Sequence, residues 1–144
     1  MTPRLLVEKI LQAVRSRRAP AYRGLRGVGQ RWERLAEKRL RAEGYEIRAR
    51  NYRAIGGEID FVARQDGVLC FIEVKGRGGL RYGSPEEAVT GEKQRRIALA
   101  AEQYLQKERI GPVPCRFDVV SILDRDGEVE VSILRGAFEV GDAR

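Results

Sequence analysis

The dipeptide Asp66-Gly67 separates two stretches that read as strands, Glu58 to Arg64 and the strongly apolar Val68 to Lys75. Asp-Gly readily supplies the positive φ values of a two-residue hairpin turn, so the two strands are expected to pair antiparallel. Such a turn sets Gln65 opposite Val68 and thereby the register of the whole hairpin. Asp60 then faces Glu73, and Glu58 faces Lys75. Because strand side chains alternate between faces, Glu58 and Asp60 point the same way, as do Glu73 and Lys75, and four ionisable groups converge on one patch. Like charges placed directly opposite are destabilising unless something offsets them, and a divalent cation would do so.

A plainer alternative is a cross-strand ion pair between Glu58 and Lys75, with Asp60 and Glu73 at a wet strand edge. Two features weigh against it. The Val68 to Lys75 strand carries charge only at its end, where interior strands of α/β folds open toward solvent and sites tend to lie. Gly76, Gly78 and Gly79 follow at once, giving a backbone that a substrate could approach closely.

Around this hairpin the pattern is that of an α/β chain. Pro3 to Arg18 spaces Leu5, Leu6, Ile10, Leu11 and Val14 as an amphipathic helix, and the Arg- and Gly-rich stretch after it reads as a linker. Residues 1–27 are therefore expected to be a helical appendage with its linker, and residues 28–144 the main domain. From Gly29 to Ala42, Trp32, Leu35, Ala36 and Leu40 mark a first core helix that stops at Gly44. Tyr45 to Tyr52 reads as a strand preceding the hairpin. Gly76 to Gly83 reads as a loop, Pro85 to Lys107 as a long helix that crosses the sheet, and Phe117 to Leu123 and Val129 to Leu134 as strands joined at Asp126-Gly127.

Charge is placed unevenly. The net charge is +7, yet residues 1–53 hold 15 Lys and Arg against 5 acids, a surplus of +10, and the remainder carries −3. A concentrated positive field favours polyanions through counterion release, which makes nucleic acid the first partner to consider, with simple surface solubilisation as the alternative. Histidine is absent, so the commonest general base and transition-metal ligand is unavailable. Cys70 and Cys115 lack the short spacing of a zinc site and read as buried or incidental thiols. Met1 to Pro20 has no apolar run long enough for a signal peptide or membrane span, so the chain reads as a cytoplasmic protein with no membrane partner.

Asp60 and Glu73 offer hard oxygen ligands suited to Mg²⁺ or Mn²⁺. Lys75 beside them could orient or deprotonate an attacking water and stabilise charge on a phosphoryl group, which a site without histidine needs. Arg50, Arg53, Arg77, Arg81, Lys93 and Arg96 flank these residues in sequence and are candidate phosphate contacts. Arg50 and Arg53 do not share one face of a regular strand. Tyr52 and Tyr82 could stack on bases, with packing as the commoner role.

The run Gly57-Glu58-Ile59-Asp60 followed by Phe71-Ile72-Glu73-Val74-Lys75 resembles the D…(D/E)XK signature of the PD-(D/E)XK nuclease superfamily. More narrowly, Gly29-Gln30 with Glu33, Leu40 with Gly44-Tyr45, Arg50-Asn51-Tyr52-Arg53, Gly56 to Asp60, Ile72 to Lys75, Val89-Thr90 with Lys93-Gln94 and Arg96, and Arg116 to Val120 resemble the bacterial YraN family, related to archaeal Holliday-junction resolvases. The resemblance covers about two thirds of the chain and leaves Met1 to Val28 outside the family pattern. It implies a restriction-endonuclease-like α/β fold, a mixed central sheet flanked by helices with the N-terminal helix as an extra. It also implies that Asp60 and Glu73 bind the metal, that Lys75 assists the nucleophile, and that Glu33 comes from the first helix as a further acid near the metal.

The expected function is Mg²⁺-dependent hydrolysis of DNA, with branched or structured DNA suggested by the family analogy. Junction resolution needs two active sites and so raises a homodimer as a form to test. A second expectation is a nucleic-acid-binding accessory protein that keeps the nuclease scaffold and cuts nothing. A third is a scaffold that pairs with another protein through its Leu-rich first helix.

Overall fold

The computed structural model describes residues 28–78 and 90–138, so the expected N-terminal helix and the stretch holding Gly79, Arg81 and Tyr82 lie outside the described residues. Helix α1 spans Val28–Ala42, strands β1, β2 and β3 span Glu46–Ala54, Gly57–Gln65 and Val68–Gly78, helix α2 spans Gly91–Lys107, and β4 and β5 span Cys115–Arg125 and Glu128–Phe138. The strands form one five-stranded sheet in chain order, β1-β2-β3-β4-β5. Neighbouring strands are antiparallel except for the parallel pair β3 and β4, which α2 connects, so the sheet is mixed. No described helix is long and apolar enough to cross a membrane.

Both Asp-Gly turns form as their chemistry predicts. Asp66 and Gly67 have φ of 49° and 79°, Asp126 and Gly127 of 51° and 89°, the paired positive values of a type I′ hairpin. Helix α1 ends where Gly44, at φ 87°, turns the chain so that Tyr45 N–H reaches back to the Leu40 carbonyl at 3.0 Å. Helix α2 begins at Gly91 instead of Pro85, with Thr90 as its cap and the Thr90 hydroxyl accepting the Lys93 N–H at 3.2 Å.

The sheet separates two cores. On one face Ala36, Leu40, Tyr45, Phe61, Ala63, Cys70, Ile72, Val120 and Ile122 pack with α1 residues Trp32 and Leu35 at their edge. On the other, Ile59, Val62, Leu69, Phe71, Phe117 and Val119 pack against Ile97, Ala98, Ala101, Tyr104 and Leu105 of α2. Tyr52 belongs to this second face, edge-on to Tyr104 at 5.1 Å between ring centres, and so serves packing.

Strand β3 runs on through Gly76-Arg77-Gly78, where a loop is expected from composition. Its parallel pairing with β4 continues to Gly78 opposite Asp124, and that partner ladder outweighs the weak strand preference of glycine. A Cβ on Gly76 would lie 2.8 Å from the Trp32 ring. The room beside this glycine is filled by α1, which corrects the expectation that it admits a substrate. Cys115 opens β4, and both cysteines are free.

Candidate active site

The hairpin register holds from Gln65 opposite Val68 as far as Phe61 opposite Ile72, and there the β2–β3 pairing ends. The expected direct oppositions of Asp60 with Glu73 and of Glu58 with Lys75 do not form as ladder pairs. Instead the Val74 N–H donates to the Asp60 carboxylate at 2.8 Å, so a side chain takes the place of a backbone acceptor. The cause lies in a break in strand alternation. Ile59 enters the α2-side core, whereas Phe61 and Ala63 enter the α1-side core, and in the neighbouring strand Ala49 and Tyr52 show the same three-residue step around Asn51 at φ 48°. Asp60 sits at this break. The irregularity also turns Arg50 and Arg53 into exposed positions.

Glu73 follows Leu69 and Phe71 along β3 onto the α2 side. Its side chain is 5% exposed and forms an ion pair with Lys93, itself 17% exposed, on the first turn of α2. Burial and the facing Glu73 charge push the Asp60 carboxyl well above the usual carboxylate range, a hydrogen bond to the Glu73 side chain adds to the shift, and Glu33 raises it further; the Val74 N–H opposes them. Glu58 is raised too, by burial first, with Arg53 and Lys93 pulling down and Glu33 and Glu73 pushing up. The fold therefore gathers Glu33, Glu58, Asp60 and Glu73 within electrostatic reach of one another. Lys75 lies two residues beyond Glu73, partly buried and opposite Ser121 in the parallel register.

The β1–β2 hairpin is seated on α2 with little freedom. A Cβ on Gly57 would fall 2.2 Å from the Arg96 carbonyl oxygen, and one on Gly56 would fall 2.8 Å from Leu99. At the tip, the Gln103 amide accepts the Ile55 N–H at 3.0 Å and donates to the Ile55 carbonyl at 2.8 Å, while the Ile55 side chain stays 86% exposed. These contacts hold Glu58 and Asp60 in place relative to Lys93.

The donor set is all oxygen, which suits a hard divalent cation. Among the described residues no three His, Cys, Asp or Glu side chains are grouped to hold a metal ion. Two carboxylates set side by side where the Val74 N–H holds Asp60, Asp60 and Glu73, still fit Mg²⁺, which keeps most of its waters and commonly takes only one or two protein carboxylates plus phosphate oxygens. Glu33 contributes charge near that pair without completing a three-ligand group.

The expected phosphate contacts separate. Lys93 is taken up by Glu73. Arg50 pairs with Glu37, whose carboxyl is lowered chiefly by that hydrogen bond. Arg96 bonds Glu92 at 3.1 Å and keeps a buried Nε without a hydrogen-bond partner. Arg53 lies beside Glu58 in the register, and the Arg77 side chain is outside the described residues. Glu33, Arg34, Glu37, Arg50, Asn51 and Phe61 line a shallow cleft between α1 and β1 next to the acids.

The profile of an uncharacterised protein family, UPF0102, matches residues 32–122. The chain belongs to the UPF0102 family. This is the YraN-type family that the motifs resemble. A UPF0102 protein of Symbiobacterium thermophilum is 49% identical over 114 residues, covering 78% of this chain and 97% of the relative. One from Hahella chejuensis is 50% identical over 93 residues, 65% of this chain and 75% of the relative, and one from Chlorobaculum tepidum is 42% identical over 130 residues, 86% and 97%. The UPF0102 match contains Glu33, Glu58, Asp60, Glu73, Lys75 and Lys93 and stops before β5.

Proposed function

We propose that this UPF0102 protein is a metal-dependent nuclease of the PD-(D/E)XK type, hydrolysing phosphodiester bonds of DNA, with branched or structured DNA among the substrates to test, on a restriction-endonuclease-like scaffold. The observation that carries the reading is the Asp60 carboxylate accepting the Val74 N–H at 2.8 Å, which sets it next to Glu73, two residues before Lys75, where β2 stops pairing with β3. Such an arrangement is costly unless a proton or a cation is shared. Asp60 and Glu73 are the residues that would hold Mg²⁺ or Mn²⁺, with Glu33 as a further acid nearby. The cation would supply Lewis-acid stabilisation of charge on the phosphoryl oxygens. Lys75 orients the attacking water, accepts or relays its proton, and offsets negative charge at the reacting phosphate. The Val74 N–H holds the Asp60 carboxylate in one orientation. The basic surplus of residues 1–53 draws the polyanion in.

A second reading is favoured by one observation, the Lys93 ammonium on Glu73, which offsets the acidic pair from within the protein. On that reading the chain binds nucleic acid as an accessory and cuts nothing. The test is cleavage of labelled linear, single-stranded and four-way-junction DNA with Mg²⁺, with Mn²⁺ and with chelator, using wild type beside Asp60→Ala and Lys75→Ala. Metal-dependent cutting that both variants lose, while Lys75→Ala still binds, supports the nuclease. Salt-sensitive binding with no cutting under any metal would leave the accessory role.

A further inference from the structure

The ion pair of Lys93 with Glu73 lies inside the acidic cluster, with both side chains largely withdrawn from water. Lys93 is held there from two directions. Its own N–H is bound by the Thr90 cap of α2, and the helix that carries it is seated on the Gly57 backbone at Arg96 and clamped to Ile55 through Gln103. Its charge also reaches Glu58, where it opposes the upward push of Glu33 and Glu73. A nearly buried pair of this kind persists because either charge alone would be left uncompensated. The same carboxylate is one of the two that fit a divalent cation, so one oxygen donor has two claimants.

We infer that Lys93 is a built-in counter-cation of the site: its ammonium competes with the divalent ion for Glu73, and occupation by the metal displaces it. The inference rests on the nuclease reading and concerns how its metal is admitted. Metal alone then binds weakly, because it must break a desolvated ion pair. The displaced ammonium remains tethered to the first turn of α2 beside the carboxylates, where a phosphate oxygen is its natural partner. Metal and phosphate thereby favour each other's binding, and by linkage the coupling is reciprocal. Lys93 acts here as a positioning residue that keeps the ion and the substrate linked.

The test is calorimetric titration of Mn²⁺ into the full chain without nucleic acid, comparing wild type, Lys93→Met, Lys93→Arg and Asp60→Asn. Lys93→Met is expected to bind Mn²⁺ about tenfold tighter than wild type, since the competing charge is gone. Lys93→Arg, which keeps the charge, should stay close to wild type, and Asp60→Asn should lose the site. A melting curve for each variant with and without Mn²⁺ gives a second readout, because tighter binding enlarges the stabilisation by the ion even where the variant starts out less stable. Equal or weaker Mn²⁺ affinity in Lys93→Met, with Asp60→Asn still abolishing binding, overturns the inference and leaves the nuclease reading standing. Absence of Mn²⁺ binding in every variant overturns both.

Discussion

Two acid sites, one around the buried Asp118 and one around the buried Glu73, lie toward opposite faces of the same sheet, and they are built on contrary principles. On the α1 face, Asp118 is fully buried and every demand of its carboxylate is met: Tyr45 O–H donates at 2.9 Å, Arg116 Nε at 2.9 Å and Gly136 N–H at 3.0 Å. Arg116 also donates to the Tyr45 oxygen at 3.1 Å and to Gln65, and Gln65 binds Arg135 and the Glu43 carbonyl in turn. This network ties the end of α1 to β2, β4 and β5. Toward the α2 face, Glu73 lies next to Asp60, Glu58 and, from α1, Glu33 add charge of the same sign, and Lys93 offsets part of it. A satisfied buried carboxylate holds a fold together, whereas a crowded one is a cost to the fold that a ligand can relieve.

Substitution should separate the two clusters by sign. Asp118→Ala takes the carboxylate from the part-buried Arg116, which keeps Gln65, and from the buried Tyr45 hydroxyl, and is expected to cost about 3 kcal/mol, read by chemical denaturation. Gly57→Ala is expected to cost about 3 kcal/mol by forcing the hairpin off the Arg96 carbonyl, and to lower cleavage as well, since it moves Asp60 relative to Lys93. If Gly57→Ala left cleavage unchanged, the seating of the hairpin on α2 would not position the site.

Tyr45 gives the comparison a pH axis. Burial, with the Asp118 charge second, pushes its hydroxyl up to about 12 from an ordinary value near 10. A raised folded-state value means the stabilisation is fully present below pH 10 and fades as pH rises through 12. Wild type should therefore lose roughly 2 kcal/mol relative to Tyr45→Phe over that interval. Parallel pH profiles for the two proteins would show that the hydroxyl does not contribute through the Asp118 network.

The smallest expected effect has the opposite sign. Asp60→Asn removes a charge facing Glu73, keeps an acceptor for the Val74 N–H, and is expected to raise stability by about 1 kcal/mol in chelator while abolishing metal-dependent cleavage. Destabilisation by Asp60→Asn would place Asp60 in the same class as Asp118.

The sequence reveals these clusters unequally. Asp-Gly turn chemistry and the apolar run of β3 are local signals, and they lead to the hairpin, the approximate strand order and a common neighbourhood for Asp60 and Glu73, though not to the register between them. The strand break at Asn51 and Asp60 is not legible, because it depends on which core receives Ile59 and which receives Phe61. Lys93 reads as one more basic residue of the Pro85 to Lys107 helix and a phosphate contact; only the seating of α2 on Gly57 brings it to Glu73. The Asp118 network leaves a fainter mark, an Arg and an Asp two apart on one side of the apolar strand Arg116-Phe117-Asp118-Val119-Val120, a pattern that demands a buried partner without naming it. Tyr45, Gln65 and Gly136 arrive from distant parts of the chain.

Whether Asp60 and Glu73 together hold a divalent cation can be read from anomalous diffraction of crystals grown with Mn²⁺. An anomalous peak is expected at about 2.0–2.3 Å from an oxygen of each carboxylate, with the Lys93 ammonium moved off Glu73. A peak elsewhere, or none at the pair while Lys93 still bridges Glu73, would contradict this placement of the cation.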